Sequence, residues 1–243
     1  MNELKIPENA SKNIHNVVEE LISSEDGIKK VLDIPSGAGA FTWRMLKKEY
    51  DVFSGDIENI LHFEHKNFVI ADMNEPLPFE DGFFDAVVCI DGIEHLENPF
   101  KFIRECERIL RKDGKLIIST PNIDAMRSRW RHFLTGHHNK DKSPLNENNP
   151  TPLHHINMFS YPRLRYILHT NGFKIEQVKT NRIKFISWFH AIFYPFARIK
   201  TSLVYRKEEK DLQQRKINRQ ILKDVYSRDI YFGETLIVKA TKI

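Results

Sequence analysis

The sequence predicts an α/β fold, a doubly wound parallel sheet elaborated by helical insertions. Two patterns point there. Val31-Leu32-Asp33-Ile34 is a short apolar run that enters the small residues Pro35-Ser36-Gly37-Ala38-Gly39-Ala40, after which Phe41, Met45 and Leu46 fall at helical spacing. Strand-like and helix-like stretches then alternate, which is the signature of parallel strands joined by crossover helices. In such sheets ligands bind at the carboxyl ends of the strands.

Before the organising strand, residues 11–22 place Ile14, Val17, Val18, Leu21 and Ile22 on one helix face, with Ser11 as the expected cap and Gly27 as the stop. Asp51-Val52-Phe53-Ser54-Gly55-Asp56 reads as a second strand ending in an acid, about twenty residues beyond the glycine turn, where a carboxylate can accept ribose hydroxyls. Phe68-Val69-Ile70-Ala71-Asp72 is a third strand with the same ending. Phe84-Asp85 opens a fourth, whose continuous Ala86-Val87-Val88-Cys89-Ile90 fits burial on both faces. Asp91-Gly92-Ile93-Glu94-His95 follows at its carboxyl end. Asn98 and Pro99 then start a helix with Phe100, Ile103, Cys106 and Leu110 as its buried stripe. Asp113-Gly114 turns the chain into a fifth strand over residues 115–120. A helix near Pro162 and His169, a sixth strand over 172–178 and a final strand over 235–240 complete the series.

Composition excludes several classes. At 243 residues the chain fits one elaborated domain better than two. Hydrophobic content of 41%, charged content of 29% and a net charge of +4 give little support to nucleic-acid binding, although basic residues gather in 179–228. Cys89 and Cys106 form neither a disulfide framework nor a metal pattern and read as buried thiols. No cleavable leader and no apolar run of membrane-spanning length is visible, so a cytoplasmic location is expected, with contact at the inner membrane face as an additional expectation discussed below.

The order of these motifs resembles the class I methyltransferases that use S-adenosylmethionine (SAM). Their Asp/Glu-x-Gly-x-Gly-x-Gly motif is similar to Asp33 through Ala40 here, with Pro35 and Ala40 as departures. The resemblance covers roughly residues 28–122 closely and 160–243 more loosely. It implies a mostly parallel seven-stranded, Rossmann-like sheet whose last strand runs antiparallel beside the sixth. It also implies SAM as cofactor, with Gly37 and Gly39 approaching the methionyl part, Asp33 supporting their loop and Asp56 holding the ribose. Asp72 and Met73 would take adenine, and Asp91 joins the cofactor residues. The acceptor would enter past Asp91, Glu94, His95 and Asn122. A looser similarity, at Ser119-Thr120-Pro121-Asn122 and from His155 to Phe173, is to bacterial methyltransferases of cell-surface glycan or lipid pathways. The expected acceptor is therefore a small molecule, a lipid or a glycan.

Two insertions stand apart from the sheet. The lid-like one, about 123–158, begins with a helical period (Met126, Trp130, Phe133, Leu134), closes at Gly136 and becomes polar and histidine-rich. Adjacent rings such as His137 and His138 cannot easily turn to one ion and no Cys or Asp cluster joins them, so the spacing assigns no metal. A general base suits histidine better, with His95 and His155 as candidates. The second insertion, about 183–225, places Phe185, Phe189, Ile192, Phe193 and Phe196 on one face, with Pro195 expected to kink or end that helix. Packing on its own domain or a second subunit, contact with a membrane through 183–200, and a lid over a greasy substrate all fit this face. Charges over 206–225 lack the interleaved aromatics of a stacking platform. Two other function classes share the motifs: a non-catalytic SAM-fold scaffold or membrane adaptor, and a nicotinamide-dependent dehydrogenase, which leaves Asp33 and Asp72 unexplained.

Overall fold

A computed structural model describes residues 5–141 and 144–243. Helix α1 (Ile14–Ser23) leads into β1 (Lys30–Asp33), α2 (Ala40–Lys47), β2 (Asp51–Asp56), β3 (Phe68–Ile70) and β4 (Phe84–Ile90). Then come α3 (Pro99–Ile109), β5 (Leu110–Pro121), α4 (Met126–Thr135), α5 (Tyr161–His169) and β6 (Phe173–Lys179). The chain closes with α6 (Tyr194–Glu208), α7 (Leu212–Val225), α8 (Arg228–Phe232) and β7 (Thr235–Lys242).

The seven strands form one sheet in the order β3-β2-β1-β4-β5-β7-β6. All neighbours are parallel except β7, which runs antiparallel to both β5 and β6. The seven-stranded, mostly parallel architecture expected from the resemblance is thus present. Chain order reverses between β1 and β4, which opens a crevice at their carboxyl ends.

Alternation along β4 builds two cores. Ala86, Val88 and Ile90 join α1 and α2 residues such as Ile14, Val18, Phe41 and Met45 on one face. Val87 and Cys89 join Phe102, Ile103, Leu164 and Ile167 from α3 and α5 on the other. A strand covered on both sides needs unbroken apolar sequence, which β4 supplies. Both cysteines are free and buried. Asn98 Oδ1 accepts from the Lys101 N–H at 3.1 Å with Pro99 in the first turn, so α3 starts as its sequence specifies.

Three local expectations are corrected. Ser11 does not cap α1; Asn13 occupies the cap at φ 72° without a side-chain cap bond. Instead Asn13 Nδ2 donates to the Asn181 carbonyl at 2.8 Å and Asn181 Nδ2 donates to the Lys12 carbonyl at 2.9 Å, tying the leading segment to the strand-β6 side. The fifth strand begins at Leu110, before Asp113-Gly114 rather than after it. Pro195 neither kinks nor ends a helix: Phe185–Phe193 is a 3-10 segment, and Pro195 stands in the first turn of α6. A proline has no N–H to lose there, so it initiates.

Candidate active site

At the crevice, a cavity of about 580 Å³ is walled by Asp33, Ser36, Gly37, Asp56 and Asp91 among others. Asp33 is buried at the end of β1, and Thr42 Oγ1 from α2 donates to its Oδ2 at 2.6 Å, so the acid ties strand to helix across the turn. Burial pushes the Asp33 carboxyl up to about 7, with the nearby Asp56 charge adding to the rise. Asp56 accepts from the Gly37 N–H through Oδ2 and from the Ile57 N–H through Oδ1, both at 2.8 Å. These bonds fix the carboxylate at the lip of β2, facing the glycine turn. Gly37 has φ 52° and nothing within 4 Å of where a Cβ would stand, so its bare face opens on the cavity.

The turn itself departs from the expected pattern without losing its path. Pro35 follows Ile34 through a cis peptide bond, and its ring occupies the space beside Gly92, where a Cβ would lie 2.4 Å from Pro35 Cδ. Gly39, at φ 85°, lies off the cavity lining; a Cβ there would meet Leu61 and Phe63 side chains at 2.7 Å. Asp72 and Met73 also lie off the lining. Asp72 is exposed and its Oδ1 accepts from the Asn74 N–H at 2.8 Å, while Met73 packs into the core.

Asp91, at φ 45°, is held at the end of β4 by Ser119 of β5. The Asp91 N–H donates to Ser119 Oγ at 2.9 Å, and that hydroxyl donates to Asp91 Oδ1 at 2.7 Å. Asp91 and His95 line both the first cavity and a second, of about 280 Å³, which also takes in Glu94, Pro121, Lys140 and His155. Glu94 is fully buried on the short turn Ile93–His95, and neither carboxylate oxygen has a hydrogen-bond partner among the described residues. Burial and then the Asp91 charge push its carboxyl up to about 8.

The end of the lid is seated on this turn. His95 Nδ1 pairs with the His154 carbonyl at 3.0 Å, the Asn157 N–H donates to the Glu94 carbonyl at 2.9 Å, and Asn157 Nδ2 donates to the Leu96 carbonyl. This docking brings His155 beside His95, ring centroids 4.8 Å apart. The two histidines singled out in the sequence, sixty residues apart, therefore share one pocket. Asn122 does not reach it; its amide donates to the Ile230 and Gly233 carbonyls.

Several wall residues carry no signal in the sequence. Pro7, Asn9, Ala10 and His15 from the leading segment and Thr151, Pro152 and Leu153 from the lid close over the first cavity. Only tertiary closure places them there.

Comparison with known proteins agrees with this geometry. Residues 32–118 match the family described as a methyltransferase domain. Over 130 residues the chain is 37% identical to an uncharacterized protein of Methanocaldococcus jannaschii, covering 49% of this chain and 56% of that one. Over 107 residues it is 29% identical to the ubiquinone biosynthesis O-methyltransferase of Pseudomonas aeruginosa, 39% of this chain and 45% of that enzyme. The chain thus spans about half the length of these curated relatives. Its fold is similar to the crystal structure of a SAM-dependent methyltransferase from Archaeoglobus fulgidus, with a TM-score of 0.56, 18% identity, and coverage of 94% of this chain and 93% of that one. The matched stretch, residues 32–118, lies on the strands that build the cavity, so the similarity to a methyltransferase domain falls where the site is.

Proposed function

We propose that this protein transfers a methyl group from SAM to a hydroxyl of a small-molecule, lipid or glycan acceptor. The observation that carries the reading is the pair of adjoining cavities, one walled by the glycine turn and Asp56, the other by Glu94, His95 and His155, with Asp91 and His95 common to both. The first fits the family's cofactor. Ser36 Oγ, on its wall, is buried with no hydrogen-bond partner among the described residues, and Gly37 leaves a cradle that a side chain would fill. SAM supplies a methyl group already activated on its sulfonium sulfur.

The chain's own residues orient, exclude water and handle a proton. Gly37 and Ser36 would hold the methionyl end and Asp56 the ribose, with Asp33 bracing the turn through Thr42. The cavity continues along Ile57 and Ile60, which would flank the adenine end, while the expected adenine residues Asp72 and Met73 lie off its lining. The segment 151–153 and the leading segment shield the reacting centre. On the acceptor side, His95 and His155 serve ionisation of the hydroxyl as its oxygen receives the methyl group. Calorimetric titration with SAM and S-adenosylhomocysteine tests the cofactor. Micromolar binding is expected, weakened about tenfold or more in Asp56→Ala. Equal affinity in that variant overturns the assignment.

A second reading, peripheral contact with a membrane, is favoured by one surface. Phe185, Phe189, Ile192 and Phe196 are between 65% and 80% exposed, and Phe133, Leu134 and Ile199 lie exposed on neighbouring α4 and α6. Arg198 and Lys200 share these segments and would complement anionic lipid headgroups, whereas Lys184 is paired with Glu234 at 2.6 Å.

A further inference from the structure

We propose that Glu94, His95 and His155 form a binding site for one divalent transition-metal cation in the acceptor pocket. One candidate ligand atom from each residue lies within 4.8 Å of the other two. A bound ion would draw each to about 2 Å from itself, a shift that side-chain rotation supplies.

Three independent features point to a cation. Glu94 is wholly buried, yet both its oxygens lack a hydrogen-bond partner among the described residues. A carboxylate in that position is costly unless an opposite charge meets it. His95 has its Nδ1 on the His154 carbonyl, an acceptor, so Nδ1 carries the proton and Nε2 presents its lone pair. A backbone carbonyl fixing the far nitrogen is the outer-sphere support that metal-binding histidines use. The third ligand comes from the lid, and the two Asn157 bonds to the Glu94 turn hold it there.

The donor set narrows the ion. Two imidazoles and one carboxylate suit zinc, manganese, iron or cobalt rather than calcium or magnesium, which prefer all-oxygen shells. Three protein ligands leave positions open toward the 280 Å³ pocket, where an oxygen of the acceptor can bind. Lys140 lines the same pocket with its ammonium on Ser11 Oγ, and it keeps a positive charge that acts on Glu94 and that a bound cation would have to outcompete. This inference rests on the methyl-transfer reading only for the use of the open positions. There, lowering the pKa of a bound hydroxyl would let its proton pass to solvent water in place of removal by a free imidazole, and the oxygen would then take the methyl group as S-adenosylhomocysteine leaves.

Cobalt(II) is the probe, titrated into the chelator-treated full chain and read by visible absorption and calorimetry. One ion per chain is expected, with the intense bands of a low-coordinate site. Glu94→Gln, His95→Ala and His155→Ala should each weaken binding about tenfold or more. His138→Ala should not, although His132 and His138 stack at 4.2 Å elsewhere on the lid. Binding unchanged in the three variants, binding lost in His138→Ala, or only the pale bands of the hydrated ion would overturn the site. Far-UV circular dichroism and thermal melting of every variant report folding independently, and S-adenosylhomocysteine titration reports the cofactor cavity. Cofactor binding without cobalt binding defeats the cation site alone, and cobalt binding without cofactor binding defeats the cofactor reading alone.

Discussion

Asp33 shows how one strand-end acid couples fold to site. Its carboxyl is buried, accepts from Thr42 Oγ1, and titrates near 7 against an ordinary 3.8. Between those values the folded chain holds a proton that the unfolded chain has released. Its contribution to stability is therefore full below about pH 4 and falls as pH rises to about 7, by at most about 4 kcal/mol. Thermal melts of the ligand-free protein should show this slope, and Asp33→Asn should flatten it; an unchanged slope in the variant assigns the effect elsewhere. The residue type and place of Asp33, Asp56 and Asp91 are legible in the sequence because strand ends and glycine turns are local signals. That Glu94 lies buried, its oxygens without a hydrogen-bond partner among the described residues, is not, since burial depends on what packs over it.

Among the elements, the lid has the most consequence for the site. Asn157 pins its end through a side-chain bond to the Leu96 carbonyl, and its N–H reaches the Glu94 carbonyl. Asn157→Ala removes the first bond, worth about 1 kcal/mol. Faster amide exchange over residues 151–157 is expected, together with S-adenosylhomocysteine binding about fivefold weaker, because Thr151, Pro152 and Leu153 wall the cavity proposed to take the cofactor. Protection and affinity equal to the parent protein would show that the backbone bonds suffice. The start of helix α3 could be read in advance, since Asn98 caps it and Pro99 follows, and α5, expected only near Pro162 and His169, starts in the same way with Ser160 as its cap. The segment Phe185–Phe193 could not. Its apolar spacing reads as an α-helix that Pro195 kinks or ends, whereas the chain adopts a 3-10 segment and begins α6 anew.

At the scale of the whole molecule, the sheet carries the site on its carboxyl edge and the insertions carry an apolar surface. Trp130 of α4 stacks on Phe193 at 5.3 Å, and Trp188 stacks on Phe232 at 4.7 Å, so part of this aromatic set anchors the insertion to the body. The rest, Phe185, Phe189, Ile192 and Phe196, points outward. Co-sedimentation with vesicles rich in anionic lipid should retain the protein, and the double variant Phe189→Asp, Phe196→Asp should release it with cofactor binding unaltered. Retention of the double variant sinks the membrane reading. No helix among the described residues is long and apolar enough to cross a membrane.

The sequence by itself determined the α/β alternation, the glycine turn, the acids that end β1, β2 and β4, and the cap of α3. Each rests on interactions between residues close in the chain, or on a period that burial imposes strand by strand. Tertiary structure alone decided that His155 meets His95 and Glu94, that the leading segment and the lid roof the cavity at the glycine turn, and that Phe185 and Phe189 turn outward while Trp188 and Phe193 stack on the body. Those outcomes depend on contacts across 60 residues or more, such as Asn157 on Leu96 and Asn181 on Lys12. No local pattern encodes which distant surface a loop will find.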